Sequence, residues 1–181
     1  SFFQNIQADT INDFLMNLVP EAVGIFFTVL IIDRLDAIRE AQVIKDQMVR
    51  RLQSRYNHTA LQAVEEIRVM GYLEDGTLQN RNLRGANWVD ANMYMADLEG
   101  SDLGNAILDK ADFVLANLKD VNLINEQLVK TDTMHGSIMP DGRKYDGRFH
   151  LPEDFSYARR KDINIKSEEA MATWFGVSLE H

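Results

Sequence analysis

The 181-residue chain has no cysteine. Disulfides, thiol nucleophiles and thiolate metal sites are therefore excluded, and a reducing compartment fits. Only four histidines are present, His58, His135, His150 and His181, and none has a second histidine or a carboxylate at metal-site spacing on an evident helix. Asp132 and His135 are three apart, and a solvated histidine is the expectation there. No GxSxG, P-loop or HExxH motif occurs. No catalytic, cofactor-binding or metal residue is therefore assigned, and the chain is read as a non-enzyme. A basic footprint for nucleic acid is missing too, since the net charge is −9. The excess is spread, with no block of one sign that reads as a tail. Residues 1–78 hold 11 acids and 7 bases, 79–140 hold 9 and 5, and 141–181 hold 8 and 7.

What is present is a period. From Leu73 in steps of five stand Leu78, Leu83, Trp88, Met93, Leu98, Leu103, Leu108, Phe113, Leu118, Leu123, Leu128, Thr133 and Ile138, all apolar but Thr133. Two residues before most of them is a small one, such as Ala86, Ala91, Ala96 and Ala111, and between the two usually Asn or Asp. A helix repeats at about 3.6 residues and a strand at about 2.0, so neither accommodates this spacing. The chain must instead turn a corner in every pentad and keep the large residue inside. Asn, Asp and Gly tolerate the backbone angles that corners need, and small residues let backbones approach closely.

Stretches such as Ala96-Asp97-Leu98-Glu99-Gly100 and Ala116-Asn117-Leu118-Lys119-Asp120 match the motif A(D/N)LXX, and residues 71–138 resemble the pentapeptide-repeat family. The resemblance implies a mainly β fold. It would be a right-handed quadrilateral pentapeptide-repeat β-helix, a solenoid of roughly three to four coils, flanked by N-terminal helices and a C-terminal capping helix. Residues twenty apart would then stack in columns: Leu83, Leu103 and Leu123; Trp88, Leu108 and Leu128; Met93, Phe113 and Thr133; Leu98, Leu118 and Ile138. Trp88 is large for an inward position and suits a first coil that meets a cap. Arg81, Val121 and Glu126 replace the small residue, so the tube should end near 126–138. Open ends expose backbone edges and need covers.

The flanks divide as follows. Residues 58–70 read as a capping helix with Leu61, Val64, Ile67 and Met70 on one face, stopped at Gly71. Residues 139–181 read as a hairpin-like turn region and a C-terminal helix opened by Ser167-Glu168-Glu169 and carrying Trp174 and Phe175. Residues 33–57 read as a long amphipathic helix, whose stripe Leu35, Ile38, Met48 and Leu52 is a candidate partner-binding surface. Asp46 and Arg50 are placed to pair along it. Residues 1–32 read as a transmembrane helix, since the apolar stretch 14–32 approaches the ~20 residues a bilayer needs. Its anchor residues are Phe26, Phe27, Val29, Leu30 and Ile31. Arg34, Arg39 and Lys45 follow it with no base before it. The positive-inside rule then places the solenoid on the cytoplasmic side of the plasma (inner) membrane of a bacterium, the alternative location being the cytoplasm.

These features point to a membrane-anchored interaction or scaffold module, such as an accessory subunit of a membrane complex. Two alternatives stand beside it. Some members of the resembled family mimic duplex DNA in width and charge and bind topoisomerases. A soluble homo-oligomer held together by its N-terminal helices, with a structural role, is the other.

Overall fold

The computed structural model describes residues 2–176, with side chains described for all of these except 2–15, 17–21 and 157. Leu179, Glu180 and His181 lie outside them. The chain divides into two compact units, Ser1–Ile44 and Lys45–His181. Among the described residues five helices are formed: α1 (Phe2–Leu52), α2 (Asn57–Val69), α3 (Asn125–Leu128), α4 (Pro152–Arg160) and α5 (Glu168–Phe175).

The first unit is helix throughout its described part. Its side chains from Ala22 to Val43 are exposed. The expected transmembrane helix 1–32, and with it the location at a bacterial inner membrane, is not upheld. Among the described residues no helix is long and apolar enough to cross a membrane. Charge supplies the reason. The apolar run Ala22–Ile32 is bounded by the ionisable Glu21 and Asp33. At ~1.5 Å per residue that run reaches about 16 Å, roughly half of a ~30 Å hydrocarbon core. Of the earlier part of the expected span, residues 14–21, only Met16 has a described side chain.

The second unit is built on the pentads. Leu83 C=O accepts from Ala86 N–H at 3.2 Å, and the same bond closes Trp88–Ala91 at 3.0 Å, Met93–Ala96 at 3.0 Å, Leu98–Ser101 at 2.9 Å and Phe113–Ala116 at 3.0 Å. The third residue of each turn has positive φ: Gly85 69°, Asp90 58°, Met95 58°, Gly100 70°, Leu115 58°. That is the pattern of a type II turn. The Asn or Asp one residue before the turn does a different task from the one its turn preference suggests. Its side chain accepts the backbone N–H two residues on: Asp112 from Val114 at 2.8 Å, Asp102 from Gly104 at 2.9 Å, Asn92 from Tyr94 at 3.0 Å. These are Asx-turns, and the left-handed backbone falls three residues later.

Successive coils join through parallel bridges twenty residues apart, Asn82↔Asp102, Asn87↔Ile107, Asn92↔Asp112 and Asp97↔Asn117. Leu83 N–H donates to Asp102 C=O at 2.8 Å, and Asp102 N–H to Arg81 C=O at 2.9 Å. The expectation of a mainly β fold, a quadrilateral β-helix, is corrected here. Among the described residues there is no named strand and no sheet, only isolated bridges. A corner in every five residues leaves room for one bridge per side, too little to extend a ladder. Regular secondary structure is helical, and the repeat is a stack of linked turns.

Beyond Asn117 the stack changes register by one residue. The bridges Asp112↔Thr133 and Asn117↔Ile138 are 21 apart. The extra residue is absorbed at α3, where the chain leaves the pentad path. Gln127 Nε2 there donates to Leu103 C=O at 3.0 Å and Ala106 C=O at 2.8 Å, carbonyls of the coil below. A side-chain amide thus pairs backbone groups that burial would otherwise leave costly.

Both ends of the stack are closed. At the first, α2 buries Ala60, Ala63, Val64 and Ile67, while Met70, expected on its inner face, is 48% exposed. The helix stops in a Schellman pattern: Tyr72 N–H donates to Ile67 C=O at 2.9 Å, Gly71 N–H to Arg68 C=O at 2.9 Å, and Gly71 has φ 73°. Trp88, fully buried, donates its indole N–H to Leu52 C=O at 3.0 Å, satisfying an orphan carbonyl at the end of α1. Asp46 pairs with Arg81 at 3.1 Å. At the other end Ile138 and Lys144 form an antiparallel bridge, followed by α4 and α5. Ser167 Oγ accepts Ala170 N–H at 3.2 Å, and Gly176 ends α5 at φ 67°. Helix α4 is absent from the sequence reading, although Pro152 followed by Glu153 and Asp154 is a helix-start signal.

Gln127→Glu tests the role of α3. A carboxylate cannot donate, so Ala106 C=O loses the bond from Gln127 and Leu103 C=O keeps only that from Ala106 N–H, at a cost of about 1–3 kcal/mol. The urea-unfolding midpoint should fall accordingly, while Glu126→Ala next to it should stay within about 0.5 kcal/mol of wild type. Equal midpoints for Gln127→Glu and wild type would refute the capping role.

Candidate functional site

Helix α1 carries a continuous run of exposed apolar side chains. Phe26 and Phe27 are 60% and 57% exposed, Ile31 is 59% exposed, and Val29 and Leu30 are each 48% exposed. The two phenyl rings meet edge-on at 6.2 Å. Apolar residues occur on every side of this segment, and an all-round apolar helix is normally a buried one. The lone polar residue of the run, Thr28, donates its hydroxyl to Gly24 C=O at 2.8 Å, so its polar group is satisfied within the helix.

The stripe Leu35, Ile38, Met48 and Leu52 is divided. Leu35 and Ile38 are exposed, whereas Met48 and Leu52 are buried in the core. The sequence pattern does not separate the two pairs, because both halves share one helix and one polarity. What separates them is tertiary: Lys45 pairs with Asp75 at 2.7 Å and stands over the Tyr72 ring at 4.3 Å, and Arg51 pairs with Glu66.

The repeat-core candidates occupy the interior of the stack. Leu83, Trp88, Met93, Leu98, Leu103, Leu108, Phe113 and Leu118 are buried, as is Leu128. Leu123 and Ile138 are only partly so. The register change explains the second case: Met134 and Met139 are buried one residue beyond Thr133 and Ile138.

Beneath the closing helices lies a buried polar group that the sequence did not reveal. Asp154 of α4 is 1% exposed. Its Oδ1 accepts Thr133 Oγ–H at 2.5 Å and Met134 N–H at 3.3 Å. The Tyr145 hydroxyl faces the same carboxyl, and Tyr145 packs edge-on against Phe175 at 5.5 Å. Burial pushes the Asp154 carboxyl above the ordinary carboxylate range, the hydrogen bonds opposing it, and burial likewise raises the Tyr145 hydroxyl. His135 stacks on Trp174 with centroids 4.5 Å apart, in place of the solvated histidine expected. Burial lowers its pKa, against the pull of Asp154. Asp154 follows Glu153 in the first turn of a helix, where acids ordinarily face water, so nothing in the sequence marks it as inward. These groups sit in the joint between α4, α5 and the stack, which is a structural position. Among the described residues no cluster of His, Asp or Glu could hold a metal ion.

The pentapeptide-repeats family profile matches eight copies in the chain, over residues 77–108 and 96–132. No curated protein and no solved structure matches it.

Asp154 sets a pH dependence. A raised folded-state pKa means that the folded state holds its proton where the unfolded state has lost it. Stability is therefore full below the ordinary carboxylate value and falls as pH rises. His135 acts oppositely: its pKa is lowered on folding, so stability rises with pH just below its ordinary value. Asp154→Asn keeps an acceptor for Thr133 and removes the first effect. Urea midpoints measured from about pH 4 to about pH 8 should show wild type losing ground steadily to Asp154→Asn. A constant difference between the two across that range would contradict the buried carboxyl.

Proposed function

We propose that this pentapeptide-repeat protein is a non-catalytic interaction module that associates with further copies of itself through α1. Pentapeptide-repeat proteins are in general protein-interaction modules rather than enzymes. The single observation that carries the reading is the exposed segment Val23–Ile32, apolar all round, with its one hydroxyl internally bonded. Exposed apolar patches of this kind mark interaction sites, and burying a side chain of Phe or Leu size contributes about 1.5–3 kcal/mol.

A second copy is favoured over an unlike partner by charge. Residues 33–40 carry Asp33, Arg34, Asp36, Arg39 and Glu40, three acids and two bases. This mixed and nearly neutral pattern complements itself when two such helices lie side by side, whereas a strongly charged stripe would repel its copy. The turn stack then serves as a rigid body that each copy brings to the assembly. The DNA-mimic reading lacks comparable support. Acids on the stack are partly neutralised by bases, Lys119 with Glu99 at 2.7 Å and Arg84 with Asp102 at 3.1 Å.

Sedimentation equilibrium of the full chain tests the proposal. Wild type should be multimeric. Phe27→Glu with Ile31→Glu, one turn apart, should weaken association at least ~100-fold, about 2.8 kcal/mol, without loss of helical circular dichroism. Glu65→Lys on α2 should leave association unchanged. A monomeric wild type, or equal association of the double variant, would refute the reading.

A further inference from the structure

The outward side chains of the stack are unevenly distributed. After its core residue, each pentad turns two residues toward solvent. At most corners these are charged or small, as in Arg84–Gly85, Glu99–Gly100 and Lys119–Asp120. On one side they are Tyr94–Met95 and, in the next coil, Val114–Leu115. The two pairs lie in adjacent coils, since Met95 N–H donates to Val114 C=O at 2.9 Å. Tyr94 is 40% exposed, Met95 39% and Leu115 49%.

Met95 and Leu115 also hold φ of 58° each. Glycine, Asn and Asp enter this left-handed region most readily, and other side chains do so at a cost. Gly85, Gly100, Asn105 and Asp120 fill the same turn position elsewhere in the stack, as does the charged Lys110, but among the described residues no other large apolar residue does so. Two large apolar residues are therefore placed where the backbone least favours them, on one face, with their side chains in solvent. Backbone strain of this kind concentrates at functional surfaces.

Beside the strip runs a groove of about 410 Å3, walled by Tyr94 and Val114 and rimmed by Asp112, Asp132 and Glu153. Arg160 at the rim is engaged with Glu153 at 3.2 Å. Burial, and then the charges of Glu153, Asp112 and Asp90, push the Asp132 carboxyl above its ordinary value, Lys110 opposing them. The rim thus carries three carboxylates, Asp112, Asp132 and Glu153, beside the one guanidinium of Arg160.

We propose that this face docks a partner-protein segment in which apolar side chains are interleaved with lysine or arginine. The apolar side chains cover Met95, Leu115 and the Tyr94 ring. The cations meet Asp112 and Asp132, Glu153 being held by Arg160. Charge complementarity selects this occupant: a neutral apolar segment leaves the rim unmatched, and an acidic one is repelled. The surface is separate from α1, and its use by a partner does not depend on self-association.

The test uses the full chain and fluorescein-labelled octapeptides read by fluorescence anisotropy at physiological salt. The alternating Leu-Lys octapeptide should bind at least ~10-fold more tightly than alternating Leu-Glu or Ser-Lys octapeptides. Met95→Gly with Leu115→Gly should lose at least ~10-fold of that binding with Tm unchanged or raised, because glycine relieves the left-handed positions. Asp132→Asn should weaken binding about threefold or more and flatten its salt dependence. Absence of binding by wild type, equal binding of the three peptides, or equal binding by the variants would overturn the proposal. A fall in Tm of the double variant would make the two side chains structural, and a changed sedimentation coefficient without peptide would make the face a contact between copies. Either result would also overturn it.

Discussion

One local unit governs the molecule: a buried side chain held between an Asx-turn and a type II turn, repeated every five residues. In the pentad Ala111–Leu115, Asp112 accepts Val114 N–H at 2.8 Å, Phe113 C=O accepts Ala116 N–H at 3.0 Å, and Leu115 takes φ 58°. Phe113 is thereby sent inward with no exposed area. Each corner is a local hydrogen-bonding event, but no pentad can bury its core residue alone. Stacking at a separation of twenty residues supplies the cover, and stability becomes a sum over neighbouring coils.

The same constraint creates the problem that the rest of the chain solves. A stack of turns has two open ends with unpaired backbone groups. At the first end the indole N–H of Trp88 and the backbone N–H of Asn87 reach back to Leu52 C=O and Ser54 C=O at 3.0 and 2.9 Å. At the other end the chain inserts one residue, loses the pentad register at α3 and uses Gln127 to satisfy carbonyls of the coil below. The helices that follow bury Asp154 and Tyr145 in the closing joint. That joint is held by packing and a carboxyl whose charge burial disfavours, so its stability is tied to pH.

Much of this was legible in the sequence, and what was missed has identifiable causes. The repeat was legible because its period matches no helix or strand. The helix α5 was legible because Ser167 and Gly176 mark its ends chemically. The expectation of a β-helix failed on a geometric point: corners five residues apart interrupt every ladder after one bridge, so no strand forms. The transmembrane reading drew on residues 14–21, of which Met16 alone has a described side chain, and the apolar run from Ala22 to Ile32 is too short to span by itself. Ile138 was assigned to the core because a one-residue insertion is invisible when each position is tested against a fixed period. The division of the stripe at Lys45 depends on which residues the stack covers, information that one helix's sequence does not hold. Asp154 carries no sequence signal, since first-turn acids look alike whether they face water or a core.

Function follows from what this frame leaves uncovered. The stack satisfies its own backbone and core, whereas Val23–Ile32 presents phenylalanine, valine, leucine and isoleucine to solvent on all sides. A helix of that composition needs apolar neighbours, and in the proposed self-association further copies of the chain provide them. Hydrogen exchange of the unmodified chain, followed at several protein concentrations, addresses this most directly. Amides of residues 22–32 should be protected at high concentration and lose protection on dilution, while those of residues 83–118 remain protected throughout. Rapid exchange of residues 22–32 at every concentration, with the stack intact, would contradict the account.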